Sequence, residues 1–459
     1  MSAPEPYPDG RRHVGWNAIL LCAVVLTGLW ALDSLVLHTS LLSVRRGEFP
    51  LTPLYAFFEP IWNARIVSFA VCALLVAAFA PRLVDGERTS RALFGCVLGA
   101  LAIALPYALF VVRQAPSELG AQSILFGYGD FLQDAERVGN GWDFLRDYVA
   151  TMPTLSLHGQ HYPPGPMLYL HAWGSVFGLT PLTAGFAILV AFAAAVLVGH
   201  AALRNIVSER AARQGALLVL CAPTLLDHAC SAMDAVFLLA AMCTWWTALR
   251  TFRNGAAFTI AAALGVVLYV ATLMSFSALP VGLAVAIFAL FQAKNDVRAT
   301  LIRLVIVGAS YAACAALVYF VNGFAIWECL HEAREHAAKF MGRIIRGTPH
   351  ATWAYRTYGN GVAFAIGAGA ALVAACAVRI ESKSIGADRW TPTALLALLV
   401  MTFAPIYYME TERIWMFAVP WIATVAIGPN GVDDVSMRRL LSASLVQALV
   451  MEALLFTYW

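Results

Sequence analysis

The sequence predicts an all-α polytopic membrane protein with about 13 transmembrane helices and interfacial helices in two large outer loops. Three observations predict it. Hydrophobic residues make up 61% of the 459 positions and charged residues only 12%, a balance far too apolar for a soluble body of this length. The apolar residues form long runs, each near the roughly 20 residues that cross about 30 Å of hydrocarbon. The charges are confined to short segments between those runs.

The expected spans are 16–38, 64–81, 92–112, 181–203, 214–227, 231–249, 256–273, 277–293, 303–322, 361–378, 391–409, 413–428 and 440–457. Arg11 and Arg12 precede the first run, which is too long for the apolar part of a cleaved signal and so reads as a span. Asp33, within it, reads as a helix-packing or interfacial residue. A cytoplasmic N-terminus puts 18 of the 30 Lys and Arg residues inside, as the positive-inside rule asks. Pro166–Leu179 is apolar but short, about 21 Å as a helix. As a span it would reverse every later loop and move most of the later basic residues outside. It is therefore expected along the outer interface, with Pro166 at a first helical position. On this topology the unusual polar residues collect on the outer face, in loops 113–165 and 323–360 and in two tight turns, while the spans carry almost no charge.

A net charge of +3 gives no basic face for nucleic acid. There is no Gly-rich phosphate loop, no internal repeat and no C-x-x-C pair. Most of the nine cysteines sit inside apolar runs, where they act as small hydrophobes. Cys230 and Cys329 make only a weak disulfide pair.

Asp130 and Asp134 are four residues apart, so on a helix both carboxyls share one face, with Glu136 and Arg137 nearby. Such proximity pushes one carboxyl towards holding its proton, which suits a general base. His158 and His161 precede Tyr162-Pro163-Pro164-Gly165-Pro166, whose prolines fix the backbone and hold the preceding side chains. His161 is the candidate here, and His158 reads as structural. In loop 323–360, Glu332 with His336 and Glu335 with Lys339 are helical i, i+4 pairs, and Lys339, Arg343 and Arg346 gather towards the end. His331 and His336 are five residues apart, about 140° around a helix, so no zincin site forms. Arg413, between Glu410, Glu412 and a span, should face a polar cavity or an acid rather than lipid. Asp227, His228 and Asp234 lie near a turn that could line the same cavity.

The acidic stretch, the turn His161-Tyr162-Pro163-Pro164-Gly165 opening a helix that ends at Phe177-Gly178, Cys221-Ala222-Pro223 and Met233-Asp234-Ala235-Val236 together resemble the GT-C superfamily of membrane glycosyltransferases, which use polyprenyl-phosphate sugars. The superfamily includes protein O-mannosyltransferases and aminoarabinose transferases. The likeness covers roughly residues 92–300. It implies two additional N-terminal helices in 1–91, a catalytic module in 92–322 with outer loop 113–180, and a C-terminal module in 323–459. It also implies a catalytic aspartate in the first outer loop, Asp130 first and Asp134 second. Substrate contacts would come from His161, Asp227, His228, Lys339, Arg343, Arg346, Glu410, Glu412 and Arg413. This chain departs from the pattern in that its two acids are not adjacent and Tyr162 separates His161 from the prolines.

The expected activity is inverting transfer of a hexosyl or pentosyl group from a polyprenyl-phosphate donor to a glycan, lipid or protein acceptor. It would take place on the extracytoplasmic face of a bacterial plasma membrane. No cofactor is demanded by the residues; a divalent metal is left open, since some relatives use one and others do not. The rivals are a transporter or lipid flippase, and a non-catalytic subunit of an envelope glycan assembly complex.

Overall fold

The long apolar runs become helices, and polar residues at their ends serve as caps. In this computed structural model residues 13–32, 56–115, 119, 129–253, 255–293, 296–344, 353–382, 390–403 and 411–457 are described. Asn63 accepts from Arg65 N (2.9 Å) to open Ala64–Val84, and Ser90 accepts from Leu93 N (3.2 Å) to open Arg91–Arg113. Asp296 does the same for Val297–Asn322 at Ala299 N, 2.9 Å away. Asp433 caps Asp434–Leu454 at two amides, both 2.9 Å away. Each cap satisfies a backbone donor that the helix cannot, worth about 1 kcal/mol. Gly323, at φ +90°, ends the Val297–Asn322 helix in a left-handed turn.

Among the described residues four helices are long and apolar enough to cross a membrane: Ala64–Val84, Arg91–Arg113, Pro181–Leu203 and Val297–Asn322. Trp16–Leu32, Phe258–Met274, Ala278–Gln292, Trp390–Phe403 and Trp415–Ile427 are apolar but shorter. Length and composition therefore do not by themselves reach the expected count of about 13. Asp33 lies outside the described residues. Among the described residues one pairing of strands is present: Ala56–Phe58 runs antiparallel to Leu455–Thr457, with Ala56 opposite Thr457.

Two expected spans come out differently. The run 214–227 is divided between Glu209–Leu220 and the short helix Pro223–His228, because Pro223 has no amide to continue the first helix. The run 361–378 is a bent pair, with a 105° break between the helix ending at Ala368 and Ala370–Glu381. Gly369 takes φ +100° at the break. The backbone groups this frees are met by one side chain: Gln447 accepts from Ala370 N (2.9 Å) and donates to Ile366 O (2.8 Å).

The chain divides into two compact units, each assembled from segments distant in sequence. The first comprises residues 1–114, 196–229 and 348–458. Its apolar packing includes a cluster of Leu26, Val362, Ala363, Ile366, Ala370 and Leu455. Its buried charges are compensated. Arg213, 1% exposed, pairs with Glu209 (3.0 Å), donates to Thr89 O (2.8 Å) and lies over the Phe94 ring at 5.0 Å. Arg113 donates to the carbonyls of Glu59 and Glu452, 2.8 Å from each, and stands 3.5 and 3.9 Å from their carboxylates. Glu452 is an acid within the last expected span, so the expectation that the spans carry almost no charge is too simple there.

The second unit comprises residues 115–195 and 230–347, together with the terminal residue. Here Phe258–Met274 packs against Val297–Asn322 and Asp234–Thr251. The first contact is made at Gly265, where a β-carbon would overlap the Val307 carbonyl and Ser310. Gly308, on the partner helix, faces open space. Gly265→Ala should destabilise the protein by roughly 1–3 kcal/mol, read as a lower unfolding midpoint in detergent. Gly308→Ala should leave that midpoint unchanged or raise it slightly.

Candidate functional site

The described residues of the first outer loop of the expected topology include the helices Gly129–Glu136 and Gly141–Thr151. Gly129–Glu136 buries Phe131, Leu132 and Ala135 and packs on Gly165–Phe177. The carboxyls of Asp130 and Asp134 both turn to the segment 154–161, as the i, i+4 spacing predicts. Their environments differ sharply.

Asp134 is withdrawn from solvent, 0% exposed. It accepts from Ser156 N (3.0 Å) and Ser156 Oγ (2.6 Å), with Arg137 at 3.6 Å. Burial raises its pKa, and the Ser156 hydrogen bonds and Arg137 only partly oppose that. A β-carbon at Gly159 would overlap this carboxylate, so the turn closes over Asp134 only with glycine there.

Asp130 is 30% exposed at its side chain. Its Oδ2 accepts from the His158 backbone N (3.2 Å) and lies 2.9 Å from His158 Nδ1. An ionised carboxylate only accepts, so Nδ1 is the donor. Burial works against the charge, but the hydrogen bonds and positive character of His158 outweigh it and hold the Asp130 carboxyl below its usual range. Asp130 is thus partly exposed and held below the usual carboxylate range, whereas Asp134 is enclosed and shifted the other way.

The turn that carries His158 is built to stay in place. Tyr148, fully buried on Gly141–Thr151, shares its single hydroxyl proton between the carbonyls of Gly159 (2.9 Å) and Tyr162 (2.8 Å). Phe131 packs on both the His158 ring (5.4 Å between centroids) and Tyr162 (5.2 Å), and Tyr162 stacks on Phe237. Gly165 starts the following helix against the backbone of Leu273, whose carbonyl a side chain there would strike.

His161 faces the helix Ile326–Ile344, with its ring 5.7 Å from Phe340. Burial, and then the neighbouring His158, lower its pKa to about 4, although a hydrogen bond with the His336 backbone works the other way. It is neutral at pH 7 and so offers a substrate hydrogen bonds rather than charge. On that helix the expected pairs form: Glu335–Lys339 at 3.1 Å and Glu332–His336 at 3.9 Å. Arg343, two turns beyond His336, shares the face that meets His161. Lys339 is bound to its own helix through Glu335. Arg346 lies outside the described residues.

Asp234, expected to share a cavity with Asp227 and His228, is in the second unit, buried at the start of Asp234–Thr251, whereas those two are in the first. There Asp227 stands 3.8 Å from His228 Nε2 and is hydrogen-bonded to Glu452. Arg413, 4% exposed, is on Thr411–Ile414, which packs against Trp353–Ala368 and Pro223–His228. Glu410 lies outside the described residues, as does the side chain of Glu412. No group of three or more His, Cys, Asp or Glu among the described residues could hold a metal ion, and no disulfide joins Cys230 to Cys329. His158, read from the sequence as structural, is the direct partner of Asp130. The only signal for it was its place ahead of the proline-fixed turn. Glu452, which meets Asp227, and Arg113, which meets Glu452, were missed, although an acid inside an apolar run was a usable signal.

No protein-family model and no curated protein matches this sequence. Among solved structures, the chain is similar to ArnT from Cupriavidus metallidurans in the apo state. That match has a TM-score of 0.42 at 16% identity and covers 63% of this chain and 54% of that one. It is also similar to ArnT from the same organism bound to undecaprenyl phosphate, with a TM-score of 0.41 at 14% identity, covering 76% of this chain and 59% of that one. The match thus spans little more than half the length of those proteins.

The neutrality of His161 is directly measurable. Its imidazole resonances should move with a midpoint near pH 4, well below the ordinary value of about 6.5. A midpoint at the ordinary value would mean that the ring is not buried as described.

Proposed function

We propose that this protein is a membrane glycosyltransferase that moves a sugar from a polyprenyl-phosphate donor to an acceptor hydroxyl, with Asp130 as the base. The observation that carries this reading is the state of the Asp130 carboxylate. One oxygen is held by His158, the group is partly open to solvent, and its environment keeps it ionised. The donor class rests on the motif resemblance of residues 92–300, and the extracytoplasmic location rests on the distribution of Lys and Arg.

Asp130 would take the proton of the acceptor hydroxyl as its oxygen attacks the anomeric carbon. The bond from that carbon to the phosphate oxygen breaks, and its electron pair leaves with the polyprenyl phosphate. A single displacement with one base inverts the anomeric centre. The departing phosphate needs a preorganised cation. Arg343 is favoured over Lys339 because it shares the His336 and Phe340 face. His161, as a neutral donor or acceptor, suits a sugar or acceptor hydroxyl. Asp134 serves best as the support of the turn, although its carboxyl is the second candidate for the base.

The test is transfer from radiolabelled polyprenyl-phosphate sugars by the purified protein in the presence of membrane extract. Asp130→Asn should fold and express normally yet lose roughly 10²–10⁴ of the rate. A variant that keeps its rate removes Asp130 from the chemistry, and movement of intact substrate across a vesicle membrane without transfer would favour a transporter. NMR of the product should show inversion; retention would rule out the single displacement.

A further inference from the structure

We propose that His158 is a positioning residue: its ring and backbone amide together clamp one oxygen of Asp130, so that the other oxygen is presented to the acceptor hydroxyl. This rests on the reading of Asp130 as the base. The geometry is specific. Two donors of a single residue, the amide at 3.2 Å and Nδ1 at 2.9 Å, converge on Oδ2 and leave the direction of Oδ1 determined. The imidazole is itself fixed, packed against the touching rings of Phe131 and Tyr162 at 5.4 and 6.2 Å between centroids. The backbone under it is braced on both sides, by Ser156 on Asp134 and by Tyr148 on Gly159 and Tyr162. A carboxylate held in this way loses little freedom when the acceptor arrives, which is the entropic part of catalysis by orientation.

The charges around Asp130 set the expected pH behaviour. Its own helix contributes Asp134, Glu136 and Arg137, and the facing turn contributes His158 and His161. The Ile326–Ile344 helix brings His336 up to His161, with Glu332 3.9 Å from the His336 ring. The first two turns of Gly165–Phe177 contain His171 and no Asp, Glu, Lys or Arg. Of these groups His158 is the one bonded to Asp130, and its contribution opposes the cost of burial. Without the ring, burial and Asp134 remain, so the acid limb of the rate profile should move to higher pH.

The experiment compares His158→Phe with His158→Asn. Phenylalanine keeps a flat ring and the backbone amide but removes the Nδ1 donor. Asparagine restores an N–H at the equivalent δ position without a titratable ring. His158→Phe should lower kcat at least tenfold with donor KM within about twofold, and should shift the acid limb upward. His158→Asn should recover most of the rate. In the Asp130→Asn background His158→Phe should cause no further loss, because its effect passes through Asp130. A second readout needs no activity: the Asp130 carboxyl, followed by ¹³C NMR, should titrate higher in His158→Phe than in the wild type. An unchanged carboxyl titration and an unchanged rate profile in a folded His158→Phe protein overturn the proposal while leaving the glycosyltransferase reading intact. A shifted titration in a protein that transfers no sugar supports the clamp and refutes that reading instead.

Discussion

The candidate site depends on an acid that has no contact with water. Asp134 sits at the junction of a short helix and a proline-fixed turn, and its carboxylate gathers the amide and hydroxyl of Ser156. A buried carboxyl left without such donors would cost several kcal/mol. The helix and turn are therefore bound to one relative placement, which brings His158 onto Asp130. The same constraint requires glycine at 159 and places Tyr148 beneath the turn. Two aspartates that look equivalent in sequence divide the work between them: one holds the architecture and the other stays available.

Elsewhere the protein handles buried polarity in the same manner. Arg213 is enclosed yet has a carboxylate, a carbonyl and an aromatic face within reach. Gln214 exchanges two hydrogen bonds with the backbone of Val432, at 2.7 and 2.9 Å. Arg113 ties Glu59 to Glu452. In each case a polar side chain on one helix completes the backbone of a distant segment. An apolar body with few charges can thus specify contacts that dispersion forces between similar helices would leave ambiguous.

Helix existence was legible in the sequence because long apolar runs and their capping residues are local signals: Pro181–Leu203 and Arg91–Arg113 begin and end within a residue of expectation. The two broken runs were partly legible. Pro223 was a local signal for one break that the expected span 214–227 passed over, and the bend at Gly369 depends on Gln447, which is 78 positions away. The pairing of acids on 129–136 followed from helical spacing. The identity of the acid held by His158 did not, since 28 residues separate His158 from Asp130 and only folding decides which carboxyl meets which donor. Nor could spacing show that His161 is buried enough to stay neutral.

The break at Gly369 has a mechanical meaning. One amide replaces the missing turn, accepting on one side of the bend and donating on the other. Straightening these helices would sever both bonds together and strand Gln447 in an apolar setting. The bend is therefore a rigid elbow, and any displacement of these two helices must carry the C-terminal helix with them.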